Sequence, residues 1–125
     1  AAIEAWLKLG KKIAIITGRQ SKCVDLRAKD LKIDLVFQGI KDKLTCAQGI
    51  LKDLNLNLNQ SAAIGDYYND LKLLKAVKFA FVPKDAHIKA GKRLKFNGGN
   101  GAVAMMIERL IKHNKMQKEW DKLWQ

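Results

Sequence analysis

Cysteine is scarce in this 125-residue chain: Cys23 and Cys46 are the only two, with neither CxxC spacing nor a clustered histidine. No thiol-based metal site has a ligand set here. Each cysteine falls inside a predicted helix and is expected as a reduced core or boundary side chain. Long apolar stretches are missing as well. No run approaches the roughly 18 uninterrupted apolar residues of a membrane span, and Ala1-Ala2-Ile3-Glu4-Ala5 lacks the charged-then-apolar layout of a signal peptide. The expectation is a soluble, cytoplasmic chain with no membrane partner. Acidic residues are also few, since 12 Asp+Glu face 24 Lys+Arg, a formal net charge of +12. Most of the cations are lysines scattered along the chain, and aromatic residues do not interleave with them as a nucleic-acid stacking platform requires. A solvated, lysine-rich surface with no nucleic-acid partner is the plain reading. A field that attracts a small polyanionic substrate fits the same charge.

With 48% hydrophobic residues, the chain can bury one real core, and a multi-domain reading is excluded at this length. Two kinds of segment alternate: short aliphatic or β-branched runs, and longer stretches with apolar residues three and four apart. Ile3 to Leu9 reads as a helix stopped by Gly10, Lys12 to Thr17 as a buried strand, and Ser21 to Leu31 as a helix capped by Ser21. Leu35 to Gln38 is a short strand, and Asp42 caps a helix reaching about Leu54. After an asparagine-rich connector come a strand at Ala62 to Gly65, a helix at Tyr68 to Ala76, a strand at Phe79 to Val82 and a helix from Ala86 to about Lys92. A glycine-rich stretch, Asn97 to Gly101, leads into a last long helix from Ala102 to at least His113.

Such alternation predicts an α/β fold, a three-layer Rossmann-like parallel sheet with helices on both faces. Folds of this kind bind ligands beyond the carboxyl ends of their strands. The residues there are Thr17-Gly18-Arg19, then Asp42-Lys43 after Gln38-Gly39, then Gly65-Asp66 with Asp70, and Lys84-Asp85. Asp66 and Asp70 are four apart, a spacing that on a helix turns two carboxylates to a common point and suits a hard cation such as Mg²⁺; a helix cap is the plainer use of Asp66. Lys43, one turn into its helix, is aimed back at the same edge, although a solvated lysine is the ordinary alternative. Thr17 ends its strand next to Gly18, where a hydroxyl and free amides can hold an anionic oxygen.

The order of these residues is more specific than any one of them. Ile15-Ile16-Thr17-Gly18-Arg19, Phe37-Gln38-Gly39 with Asp42-Lys43, Ile64-Gly65-Asp66 with Asn69-Asp70, Asp85-Ala86-His87, and Gly98-Gly99-Asn100-Gly101-Ala102-Val103 together resemble the 3-deoxy-D-manno-octulosonate 8-phosphate phosphatases of the haloacid dehalogenase superfamily. The resemblance runs from about Ala1 to Ile111. It implies a haloacid-dehalogenase-like fold with no separate cap domain, a Mg²⁺-dependent phosphomonoesterase acting on a phosphorylated sugar acid, and commonly a homotetramer. In such enzymes an Asp attacks phosphorus and a second Asp two positions later serves as acid and base. By resemblance Thr17 and Lys43 are catalytic, Asp66 and Asp70 hold or support the metal, and Gly18, Arg19 and Arg27 contact substrate. For the two arginines, ordinary surface salt bridges are the alternative.

Two features depart from the family. None of the nine aspartates stands two positions from another, so the Asp-x-Asp of the nucleophile is missing. The expectation is a chain that opens in mid-fold with the N-terminal strand that bears it, a central one in the family, missing from the sheet, residues 1–113 being a core incomplete at its N-terminus and inactive alone. After the glycine-rich loop, Ala104-Met105 stands where the family usually has Arg-Glu, and Ala104, Met105 and Met106 are expected to pack. Residues 114–125 form an amphipathic helical tail whose Met116, Trp120, Leu123 and Trp124 dock on their own domain or, in preference, on a neighbouring subunit. The same departures favour a second function class, a non-catalytic oligomerisation domain of the sort found attached to sugar-nucleotide synthetases.

Overall fold

Gly10 ends the first helix, α1 (Ala2–Lys8), with a φ of 80° that a residue bearing a Cβ adopts only at a cost. In a computed structural model of the protein, residues 1–98 and 101–124 are described. The glycine-rich loop therefore lies partly outside them, at Gly99 and Asn100. Strand β1 (Ala14–Ile16) is followed by α2 (Lys22–Asp30), β2 (Leu35–Phe37) and α3 (Lys43–Asp53). The two expected caps form. Ser21 Oγ accepts from the Cys23 N–H at 3.1 Å, and Asp42 accepts from the Thr45 N–H at 3.0 Å and the Thr45 hydroxyl at 2.7 Å. Each satisfies an amide that a helix start leaves without an internal partner. Strand β3 (Ala62–Ile64) leads into a 3-10 turn, Tyr68–Asp70, continued by α4 (Leu71–Ala76), and β4 (Phe79–Val82) has its expected bounds.

The helix expected from Ala86 does not form. The chain instead passes through turns into β5 (Lys92–Arg93). Arg93 explains this: its guanidinium donates to the carbonyls of Pro83 (3.2 Å), Lys84 (2.9 Å), Ala86 (3.3 Å) and Ile88 (2.7 Å). Carbonyls that a helix would turn onto its own amides are satisfied by one side chain from downstream. Gly91, at φ 67°, lies against the Ala80 carbonyl with no room for a Cβ.

All strand pairs are parallel, with Ile15 opposite Val36, Ala63 opposite Ala80 and Phe81 opposite Lys92. As an absent central strand would leave it, the sheet is divided into two hydrogen-bonded pieces, β1-β2 and β3-β4-β5. Among the described residues, β1 and β3 each keep one edge without a strand partner. Both faces of the larger piece are covered. Phe79 and Phe81 pack with Ala62 and Ile64 under α5 (Ala102–His113), while Ala80 and Val82 pack with Ala63 against Leu74 of α4 and Ile88. Neighbouring residues of a strand point to opposite faces, so a strand buried on both sides needs an unbroken apolar run.

Helix α1 packs on α5, placing Ala5 against Ile107 and Ile111, and Trp6 Nε1 donates to the Lys12 carbonyl at 3.0 Å. The tail corrects an expectation. Helix α6 (Gln117–Lys122) turns Trp120 into this same cluster, where it is 6% exposed, and only Trp124 stays half in water, its ring 5.5 Å from that of Trp120. Burial against α1 and α5 of its own chain removes the reason to seek a partner subunit for Trp120. Met105 and Met106 pack on the Phe81–Leu94–Leu110 cluster, as expected. Cys23 does not: it stands exposed on the first turn of α2, whereas Cys46 is half-buried and its thiol pKa is raised by that burial.

Candidate active site

The rim beyond the strands is assembled by three loops that touch. Thr17, just past β1, donates its N–H to the Phe37 carbonyl (2.9 Å) and accepts from the Ile40 N–H (2.9 Å), tying the β1 exit to the β2 exit. Its Oγ1 accepts from the Arg19 N–H at 3.2 Å, which leaves the hydroxyl proton free to be donated outward. A Cβ placed on Gly18 would lie 3.8 Å from Asn69 Nδ2, so this loop abuts the one that follows β3.

Lys43 is the first residue of α3, and its Nζ meets Asp70 Oδ1 at 2.6 Å, with both side chains about one-tenth exposed. The other carboxylate oxygen of Asp70 accepts from the N–H groups of Asp66 (3.0 Å) and Tyr67 (3.3 Å). Such a charge is tolerable away from water because it is both paired and hydrogen-bonded. Gly65 makes room for it: a Cβ there would stand 2.6 Å from Asp70 Cγ and 2.7 Å from Oδ2. The Gly-Asp-x-x-x-Asp spacing thus has a steric cause, a carboxylate folded back onto the peptide that precedes the first Asp.

The structure brings Thr17, Gly18, Lys43, Asp66 and Asp70 to one rim, but it revises how the two carboxylates relate. They were expected to face a common point four residues apart on a helix. A 3-10 turn lies between them instead, with fewer residues per turn, so positions four apart do not stack. Asp70 is turned inward to Lys43, while Asp66 is exposed. Among the described residues no three His, Cys, Asp or Glu side chains converge on a metal. The donor set still suits a small hard cation in part. Mg²⁺ commonly keeps several waters and takes one or two carboxylates plus phosphate oxygens, and Asp66 is one free carboxylate at the right edge.

Arg19 lies on the same rim, exposed, and its carbonyl accepts from the Gly39 N–H at 3.0 Å. Arg27 is not gathered with the others. It stands exposed on α2, five residues past the helix start, roughly 8 Å along its axis. The ion pairs among the described residues are Glu4–Lys8 and Lys43–Asp70, so neither arginine is in the surface salt bridge that was its alternative. Asn69, read in sequence only as part of the ordered motif, lies beside Gly18, and two further neighbours of the site escaped the sequence reading, the aromatic pair Tyr67-Tyr68. The signal was available, since two consecutive tyrosines inside the Asp66–Asp70 spacing stand out in a chain with 7% aromatic residues. A groove of about 460 Å³ between α5 and α6, lined by Met105, Glu108, Arg109, Lys112, Gln117 and Trp120, contains none of the rim residues.

Residues 31–101 match the haloacid dehalogenase-like hydrolase family. The chain belongs to it. Among curated proteins, the 3-deoxy-D-manno-octulosonate 8-phosphate phosphatase KdsC of Yersinia pestis is 34% identical over 103 residues, which are 79% of this chain and 55% of that protein. The Escherichia coli K12 enzyme of the same name is 31% identical over the same shares. The chain therefore spans about half the length of the curated relatives it matches. Among solved structures, the 3-deoxy-D-manno-octulosonate 8-phosphate phosphatase of Moraxella catarrhalis, in complex with magnesium, phosphate and the KDO molecule, is 34% identical with a TM-score of 0.89, covering 98% of this chain and 73% of that one. The Yersinia pestis structure has a TM-score of 0.89 at 30% identity, covering 94% and 65%. The haloacid dehalogenase-like fold is common to all of these, and the resemblance read from the ordered motifs holds.

Proposed function

We propose that the protein is a Mg²⁺-dependent phosphomonoesterase that hydrolyses a sugar-acid phosphate such as 3-deoxy-D-manno-octulosonate 8-phosphate. The observation that carries this reading is the 2.6 Å contact of Lys43 with Asp70 on the rim shared with Thr17 and Asp66. An ammonium group fixed in this way meets phosphoryl oxygens without reorganising, which is where positioned charge contributes most. Thr17 donates its hydroxyl proton to a second phosphoryl oxygen, and Gly18 lets the ester approach the backbone. Asp66 offers its carboxylate to the cation, and Asp70 holds both Lys43 and the Asp66 peptide in register. Magnesium, when bound, neutralises phosphoryl charge. Arg19 meets the substrate carboxylate, and Arg27 does so from a neighbouring copy in a homotetramer.

In this reading the first Asp of an Asp-x-Asp pair attacks phosphorus as the second gives its proton to the departing sugar oxygen. That second Asp then takes a proton from the water that releases inorganic phosphate from the aspartyl-phosphate. The nucleophile belongs to an Asp-x-Asp strand, from outside these 125 residues, that pairs with the free edges of β1 and β3. Without it the chain is inactive, because Lys43 and a metal only position the ester. The enzyme works in the cytoplasm.

Phosphate release from the octulosonate ester by the protein of the full reading frame, with Mg²⁺, tests the proposal. Lys43→Ala should lower turnover by roughly a hundredfold or more; turnover at the parent rate would remove the mechanism. The missing Asp-x-Asp favours one other reading, a non-catalytic oligomerisation domain. A reading frame that encodes no such strand ahead of Ala1, together with a stable multimer by light scattering, would select it.

A further inference from the structure

Tyr67 and Tyr68 sit between Asp66 and Asp70, and the two residues are 52% and 63% exposed. They belong to none of the three core clusters, and among the described residues neither phenol oxygen makes a hydrogen bond. Yet the rings are not loose. Tyr67 meets Tyr68 edge to face at 5.1 Å and His87 at 5.7 Å. The His87 N–H donates to the Asp66 carbonyl at 2.9 Å, so the third ring is tied to the same loop from the exit of β4. Beneath them the backbone is held from both directions, by the Tyr67 N–H on Asp70 Oδ2 and the Asp70 N–H on the Tyr67 carbonyl at 3.0 Å. Lys43 reaches Asp70 from the exit of β2, so the phosphate-contacting groups and the aromatic rings bracket Asp66.

We infer that Tyr67, Tyr68 and His87 form an aromatic shelf that holds the carbon skeleton of the ester, taking a polyhydroxylated chain or ring by its C–H face. This rests on the phosphomonoesterase reading for where the ester lies, while the ligand class follows from the rings. The negative face of an aromatic ring attracts the weakly positive C–H bonds of a sugar, and it repels an anion, so the shelf is not a second phosphate site. Phenol hydroxyls at its border exchange hydrogen bonds with sugar hydroxyls. Tyrosine has few torsions to immobilise, so a shelf already ordered by ring contacts loses little entropy on binding. Solvent-facing aromatic area of this kind, paired and anchored beside a reactive rim, is what a binding surface shows before it is covered.

The test is protein-observed NMR on the full-length protein with 3-deoxy-D-manno-octulosonate, the sugar acid without its phosphate, so that no turnover is needed. The ring protons of Tyr67, Tyr68 and His87 should shift on titration, and Tyr67→Leu and Tyr68→Leu should each weaken binding about fivefold, with Tyr68→Phe keeping most of it. Unmoved ring protons in the parent protein, leucine variants that bind as tightly as the parent, or no binding of the sugar acid at all would each overturn the shelf. The ring shifts need no variant and remain decisive if a substitution prevents folding. Binding with the expected losses, but no phosphate release from the ester, would leave the shelf standing and remove the phosphatase reading instead.

Discussion

Replacing Lys43 by Met keeps the aliphatic length of the side chain and removes its charge, leaving the Asp70 carboxylate with two amide donors and no counter-ion. Both partners are about one-tenth exposed, so the pair belongs with buried ion pairs, where loss of one partner costs roughly 3–5 kcal/mol. The two amides that still solvate Asp70 put the expectation at the lower end, about 3 kcal/mol. The chain contains its own comparison. Glu4 and Lys8 are 3.7 Å apart on α1 with more than half of each side chain in water, and Lys8→Met should cost under about 0.5 kcal/mol. Urea unfolding followed by circular dichroism reads both: at a slope of about 2 kcal/mol/M, Lys43→Met lowers the midpoint by roughly 1.5 M and Lys8→Met by no more than about 0.3 M. In 1 M salt the difference should persist, because a pair shielded from solvent is screened far less than a surface one. Asp70→Asn in the Lys43→Met background should recover part of the loss, since it removes the buried charge left without a partner. Equal midpoint shifts for the two lysine variants would refute the buried pair, and with it the claim that Lys43 is held rigidly at the rim.

Gly65→Ala should displace the Asp70 carboxylate and lower stability by roughly 2–4 kcal/mol, because overpacking acts here together with the loss of charged hydrogen bonds; a crystal structure of the variant with Lys43–Asp70 intact would contradict this. Trp120→Ala should cost about 3–5 kcal/mol and thermal unfolding should register it, whereas Trp124→Ala should change little; similar effects would mean that α6 is not packed on its own domain. Asp42 has its carboxyl pKa held below the ordinary 3.8, first by the Thr45 backbone N–H and then by the Thr45 hydroxyl. A lowered folded-state value adds stability above pH 3.8 and loses it as pH falls through that folded value. The parent should therefore show a steeper acid-side fall in stability than Asp42→Ala, and identical pH profiles would remove Asp42 as the source.

Features carried by neighbouring residues were legible in the sequence. Ser21 and Asp42 ahead of apolar spacing cap α2 and α3, and the apolar run Phe79–Val82 is a strand with both faces covered. The order of Thr17, Lys43, Asp66 and Asp70 could be read too, since parallel α/β topology brings every strand exit to one edge whatever fills the space between. The missed helix after β4 shows where such reading stops. Residues 86–92 have acceptable helical spacing, but the hydrogen bonds of Arg93 decide the conformation, and periodicity does not record where a guanidinium will reach.

By itself, then, the amino-acid order determined most of the helices and strands, the caps of α2 and α3, and which residues crowd the strand-exit edge, because capping, alternation and glycine chemistry act within a few residues. Only the tertiary structure decided that Trp120 packs inside its own domain and that Asp70 turns toward Lys43 while Asp66 stays in solvent. Each of these depends on a partner far along the chain, and burial rewards whichever distant group arrives with the right charge or shape.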